Sequence, residues 1–297
     1  MSEFFPTMRI CIAALCDIAY AMAAGVLLNR LWLGRSSVCN HRLRICLSAC
    51  SALLLLVLPL QLFLLAASMT GDSSWADAWN AVPDVVTTHA ARALISSFCF
   101  VPCLFLFACF SASLTQIRVV FLGLGLVAGF IACRACYGHA ASDGSFTLRE
   151  GIQFLHLSSI AIWGGGILVA GLITIPRLVA QGELDDVVQF GNNLSRTVTF
   201  ALAVVILSGS FNAWKGLGGS LSAFPHSDWG KMLSLKLCFV LLAFGHGVRV
   251  RFLLHSHNPW TRGQTKVLRY WVRAEALLML SAFVCSAWLS NLPPADM

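Results

Sequence analysis

The chain has 297 residues, of which 58% are hydrophobic and only 11% charged, with a mean hydropathy of +0.79. That composition excludes a soluble globule and a disordered chain and describes a polytopic membrane protein. The net charge of +7 needs no nucleic acid to account for it, because topology and attraction to anionic lipid headgroups suffice.

A hydrocarbon core near 30 Å takes about 20 apolar residues per helix, so the length accommodates about eight spans and no separate water-soluble domain. Hydrophobic runs bounded by turn and charge signals predict spans over 8–30, 45–69, 86–112, 116–136, 151–175, 194–217, 231–254 and 270–291. The expected fold class is all-α, a polytopic membrane helix bundle. Transmembrane helices 1–4 fall in residues 1–137 and helices 5–8 in residues 138–297, within a single membrane domain. The start, Met1-Ser2-Glu3-Phe4-Phe5, lacks the basic residues of a cleavable signal, which predicts that the first span is retained.

Basic residues orient the bundle. The loops and flanks after spans 1, 3, 5 and 7 carry Arg30, Arg35, Arg42, Arg44, Arg118, Arg177, Arg196, Arg249, Arg251, Arg262, Lys266, Arg269 and Arg273. The opposite side carries only Arg9, Arg134, Arg149, Lys215 and Lys231. The positive-inside rule therefore places both termini outside the cytoplasm.

In chain order, Asp17 lies about 12 Å inside the outer flank of span 1, at about 1.5 Å of rise per residue. Span 2 carries Cys46 and Cys50, and span 3 Cys99 and Cys103, each pair at i, i+4 on one helical face in the inner half. Such pairs suit either a thiol path for a soft ion or close helix packing. His89 and Arg92 begin span 3. At the outer end of span 4 stands Cys133-x-x-Cys136, with His139 three residues further on. An outward-facing pair of this kind can form a disulfide or bind a soft metal. It is not a covalent haem motif, because Tyr137 stands where the histidine would have to be. The other cysteines of the twelve mostly lie in apolar runs, where cysteine acts as a small hydrophobe.

Span 5 carries His156 about 10 Å deep, close to the depth of about 8 Å reckoned for His89, and Lys236 enters span 7 at similar depth. Asp17, His89, Arg92, His156 and Lys236 thus collect in the outer half, where they must face one another or a wet cavity. Two readings follow. One is a structural polar knot with Asp17 paired to Arg92 or Lys236. The other is an ion-admitting chamber in which His89 and His156 share a ligand. Trp163, two turns after His156, shares its face and either walls the chamber below it or fills the bundle core. Gly164-Gly165-Gly166 permits a close backbone approach or a local break in the helix.

A set of short elements in the second half resembles the copper resistance protein D (CopD/PcoD) family of bacterial inner-membrane proteins. These are Gly138-His139-Ala140, Leu155-His156, Trp163-Gly164-Gly165, Leu194-Ser195-Arg196, Leu207-Ser208-Gly209, Trp229-Gly230-Lys231 with Lys236, Glu275, and the closing Leu292-Pro293-Pro294. The similarity covers 138–294 by motif and the first half by span count and hydropathy. It implies copper handling and uptake across the inner membrane, beside a periplasmic copper-binding partner of the CopC type. On matched positions it implies His139 and His156 as copper ligands, with Trp163 and Lys236 in support. The chain departs from the family pattern at Arg196-Thr197-Val198, where Arg-Phe-Ser is usual, and at His246-Gly247-Val248-Arg249, in place of Asn-Arg.

The function expected is transport, not enzymatic catalysis. Copper, as Cu(I), meets His139, Cys133 and Cys136, passes to His156 and His89 in the outer half, and is released to the cytoplasm. Asp17, Trp163 and Lys236 line its way. Imidazole and thiolate suit copper and poorly suit Mg or Ca. No Walker A motif supplies an energy source. The alternative is a membrane cytochrome in which His89 and His156 ligate a haem b from both faces.

Overall fold

The computed structural model describes residues 4–34, 36, 38–71, 74–111, 114–137, 147–181, 184–219, 224, 226–256 and 261–293. Among them, eight helical stretches are long and apolar enough to cross a membrane, each coinciding with one of the expected spans. Their ends are called outer and inner from the distribution of basic residues. The chain forms α1 (Phe4–Trp32), α2 (Asn40–Met69), α3 (Trp75–Val85), α4 (His89–Ser96), α5 (Val101–Phe110) and α6 (Ile117–Ala135). It continues through α7 (Leu148–Ile160), α8 (Gly166–Val169), α9 (Ile175–Gln181), α10 (Leu184–Gly216), α11 (Asp228–Ser256) and α12 (Arg262–Leu289).

The fifth span is the axis of the bundle. It runs from α7 to α9 as one rod interrupted by two widened π turns, Ala161–Gly165 and Ala170–Thr174. Both possibilities raised by Gly164-Gly165-Gly166 are therefore realised. The helix loosens there, and α1 packs backbone to backbone against it: a Cβ on Gly165 would collide with the Ala21 carbonyl, and one on Gly25 with the Gly165 carbonyl. Only glycine fits this seam.

Carbonyls near the π turns find side-chain donors, as a membrane interior requires. Asn29 of α1 donates from Nδ2 to the Gly25 carbonyl at 2.8 Å and the Gly166 carbonyl at 3.1 Å. Its Oδ1 accepts from Thr174 Oγ1 at 2.9 Å. From α12, Arg273 Nε reaches the Gly171 carbonyl at 3.4 Å. A buried asparagine thus fixes the register of α1 against the fifth span.

Three departures from the expected spans have physical causes. The sixth span begins about ten residues earlier than 194, because Asp185 and Asp186 in the first turn of α10 favour a helix N-terminus. The third span is broken: α4 ends in a tight turn over Ser97–Cys99, and Pro102 opens α5. Ahead of it stands a short amphipathic helix, α3, in a stretch expected to be connecting loop. Ser74 caps α3 by accepting from the Asp77 amide. Trp75 stacks on Phe63 at 5.2 Å and packs on Phe5 at 5.1 Å, while Trp79 is exposed. Tryptophan in this position suits a helix lying along the membrane interface.

An outer cavity as the candidate functional site

In the outer half the helices leave a cavity of about 350 Å³. Its polar lining comes from elements remote in sequence. Asp17 projects from α1, Gln61 from α2, Arg134 from α6, Gln153 and His156 from α7, Asn212 from α10, Lys236 from α11 and Ser286 from α12. The expected gathering of polar groups in the outer half is present, with a different membership and different pairings.

Asp17 pairs with neither Arg92 nor Lys236. Its carboxylate lies 3.4 Å from Arg134, and only about a tenth of either side chain is exposed. Arg134 had been placed on the outer flank of span 4, but it belongs to the last turn of α6 and turns inward. Exposed Arg92 instead folds back on its own segment, donating to the Thr87 carbonyl at 2.7 Å. The Arg134 guanidinium also lies over the Tyr137 ring, 5.2 Å from its centroid. Lys236 Nζ donates to Ser286 Oγ at 3.1 Å. On the same wall Asn212 Nδ2 donates to Gln153 Oε1 at 2.8 Å, tying α10 to α7.

His156 is 9% exposed. Its Nδ1 edge faces α10, where Ser208 Oγ lies 3.0 Å away. The same hydroxyl is 2.6 Å from the Val204 carbonyl. A carbonyl only accepts, so the serine proton points to Val204, and the serine lone pair accepts from Nδ1–H. This chain of bonds assigns the Nδ1–H tautomer and leaves Nε2 with its lone pair, the arrangement by which proteins prepare an imidazole for a metal. Gly209 packs beside it closely enough that a Cβ there would lie 3.1 Å from the ring and the imidazole would have to shift by a few tenths of an ångström.

The other predicted ligands lie apart from this nitrogen. His89 opens α4 with its side chain 40% exposed, and its Nε2 is 3.9 Å from Glu150 Oε1. Ala90 lines the cavity there. The matched depths of His89 and His156 therefore do not make a shared site: one imidazole faces a carboxylate at the rim, the other a hydroxyl inside. Nothing in this geometry favours haem held between them. Cys133 and Cys136 are free thiols. Burial, and next the nearby Glu150 carboxylate, push the Cys136 thiol above its ordinary range. His139 lies outside the described residues. Among the described residues, no three His, Cys, Asp or Glu side chains converge as a ready metal site.

Trp163 does not floor the outer cavity, because the wider turn of the π segment rotates it away from the face of His156. It belongs to a second, inner cavity of about 80 Å³ with Glu275 and Arg251. The indole N–H donates to Glu275 Oε1 at 3.3 Å. Arg251 donates from Nε to Ser195 Oγ at 3.0 Å on the same wall. The inner cysteines form no path toward it among the described residues: Cys99 and Cys103 are exposed, and Cys46 and Cys50 are free thiols hydrogen-bonded to each other.

Sequence reasoning missed Arg134 and Ser208 as members of the site. A signal existed for each. Arg134 stands within an apolar helical run, and Ser208 stands in the Leu207-Ser208-Gly209 element, whose serine and glycine both contact the His156 ring.

Two family models match the chain. Residues 1–148 match the copper resistance protein D-like N-terminal domain and residues 188–289 match copper resistance protein D. The segment carrying His156 and Trp163 falls between the two matches. Neither a curated protein nor a solved structure was found to match. An eight-span helical bundle matched in both halves by these models is a membrane protein of copper resistance and transport, and the chain belongs to the copper resistance protein D family.

Proposed function

We propose that this protein carries copper, as Cu(I), from the periplasm to the cytoplasm across a bacterial inner membrane, with His156 as the ligand that receives the ion in the outer cavity. One observation carries the reading. His156 is held by the Ser208–Val204 hydrogen-bond chain and has, among the described residues, no hydrogen-bond partner on Nε2, in the wall of a cavity inside the membrane. Cu(I) accepts low coordination by imidazole, and transport requires a site weak enough to release its ion.

We assign Cys133, Cys136 and, from the resemblance alone, His139 to the outer approach, where they would pass copper inward, from solution or from a periplasmic carrier of the CopC type. His89, beside Glu150 at the rim, belongs to the same approach. Asp17 and Lys236 shape the cavity. Trp163 serves on the inner side, where it holds the Glu275 carboxyl.

The test is copper accumulation in cells expressing wild type, His156→Ala or Ser208→Ala at equal membrane levels. His156→Ala is expected to accumulate no more copper than cells lacking the protein. Ser208→Ala, which frees the wrong tautomer, is expected to weaken binding by about 10- to 100-fold, the usual effect of losing a group that orients a metal-binding histidine. Equal accumulation in all three strains would remove the transport assignment.

A further inference from the structure

The copper path leaves one deeply buried ionisable group unused. Glu275 stands mid-span on α12, about 20 Å along the helix from its inner end at Arg262, and is 1% exposed. Its Oε1 accepts from the Trp163 indole at 3.3 Å. On α11, Gly247 leaves the carboxyl its space, since a Cβ there would lie 3.2 Å from the same oxygen. Among the described residues Glu275 has no other hydrogen bond and no basic nitrogen within ion-pair distance.

The nearby cations are committed elsewhere. Arg251 is, among the described residues, the only other ionisable side chain lining the inner cavity, and Ser195 and Thr199 hold it to α10. His246 and Arg249 of α11 pack on the Trp271 ring, and Arg273 of α12 reaches the Gly171 carbonyl. Arg30 of α1, Arg177 of α9, Arg196 of α10 and Arg269 of α12 lie outside the cavity lining. The two charge states of Glu275 therefore differ sharply in cost. A carboxylate sealed in a membrane interior with one hydrogen bond is uncompensated, whereas a neutral carboxyl in the same place gives up little. The ionised form becomes tolerable when a cation turns to it, and Arg251 is the cation placed to do so, on a flexible side chain across the same cavity. At about 80 Å³, with hydroxyls in its wall, that cavity has room for water to carry a proton.

We propose that Glu275 is a proton-binding site. It holds its proton while Arg251 is tied to α10, and yields it to water in the inner cavity when Arg251 releases Ser195 and Thr199 and turns to the carboxylate. The step breaks the carboxyl O–H bond, passes the proton to water and leaves the electron pair on the carboxylate; nothing is oxidised or reduced. The chain carries no Walker A motif, and a proton site of this kind couples passage through the inner side of the bundle to the proton gradient. That use rests on the transport reading above; the proton site itself does not.

The experiment is infrared spectroscopy of the full-length, metal-free protein in liposomes, titrated with pH and read at the C=O stretch of a protonated carboxyl. Wild type is expected to show this band at neutral pH and Glu275→Gln to lose it, with circular dichroism confirming that the variant is folded. Trp163→Phe keeps the carboxyl and removes its donor, so it should move the band to higher frequency and assign it a second way. Arg251→Gln should hold the band to higher pH than wild type, because the cation that stabilises the carboxylate is gone. His156→Ala should keep the band while losing copper, so the proton site and the transport reading fail separately. No band at neutral pH, or the same band in wild type and folded Glu275→Gln, would overturn the proton site. A band that titrates alike in Arg251→Gln and wild type would overturn the part given to Arg251. Uptake of Cu(I) into the same liposomes should respond to an imposed pH difference in wild type and not in Glu275→Gln; an equal response in both would overturn the coupling.

Discussion

The outer and inner cavities sit in one bundle and share α7, α11 and α12 or their continuations, yet they are built differently. The outer one, at about 350 Å³, gathers charged groups from several helices, with Asp17 paired to Arg134 and Lys236 donating to the Ser286 hydroxyl. The inner one, at about 80 Å³, is largely apolar, with one carboxyl tied to an indole and one guanidinium tied to a hydroxyl. Between them Phe283 and Met279 pack against Gly164, where an added Cβ would lie 2.9 Å from the phenyl ring. The difference teaches how one bundle can carry a roomy polar pocket and a narrow apolar one; on the transport reading proposed above, the first is where an ion would be met and the second where it would be held back.

The division depends on the backbone seam between α1 and the fifth span, and the largest expected effect comes from breaking it. Gly165→Ala puts a methyl group into the Ala21 carbonyl. Overpacking costs about 1–3 kcal/mol where side chains can yield; here the obstacle is a backbone carbonyl, which cannot yield unless the two helices separate, so the whole packing of the seam is lost. The expected outcome is loss of both cavities, read as little folded protein after extraction and a lowered melting temperature. A variant with wild-type stability would show that the seam is not as tight as described.

Next in size is Asp17→Ala, which strands the buried guanidinium of Arg134 at a cost of about 3–5 kcal/mol. Combined Asp17→Asn and Arg134→Gln should recover much of that stability, because no uncompensated charge remains. If the single and double variants melt alike, the pair does not hold the outer cavity together. Smaller still is Trp163→Phe, which removes the donor to Glu275 Oε1 and should cost about 1–3 kcal/mol. Copper binding at the outer cavity should be unchanged by it. A matching loss of copper affinity would mean that the two cavities are not separate.

The smallest effect is chemical. Because Glu150 helps keep the Cys136 thiol protonated, alkylation of Cys136 near neutral pH should be slow and should quicken as pH rises. Glu150→Gln removes the negative neighbour, favours the thiolate and should speed alkylation at fixed pH, read from the Cys136 peptide by mass spectrometry. Unchanged rates would place the carboxylate elsewhere.

Span number, the order of elements and the outer clustering of Asp17, His156 and Lys236 were legible in the sequence, because hydropathy and the scarcity of charge in a membrane leave few alternatives. Pairing was not. Depth counted along each helix says nothing about rotation around it, which is why His89 looked like a partner for His156 and faces Glu150 instead. Trp163 failed for a related reason: two turns of regular helix would put it under His156, and the π turn starting at Ala161 changes the angle. Arg134 looked like a flank because it ends an apolar run, although a salt bridge to Asp17 draws it inward. The interfacial helix α3 was hidden by Asn80, Pro83 and Asp84, which read as loop until Trp75 is seen against Phe63.

The central claim is that His156 Nε2 receives the copper ion. Nitrogen-15 NMR of the protein labelled at histidine, before and after addition of one equivalent of Cu(I), tests it most directly. The account predicts that the resonance pair missing in His156→Ala begins as the Nδ1–H tautomer. On Cu(I) addition its Nε2 signal should shift while Nδ1 stays protonated against Ser208. A His156 resonance unmoved by bound Cu(I), or one starting as the Nε2–H tautomer, would contradict it.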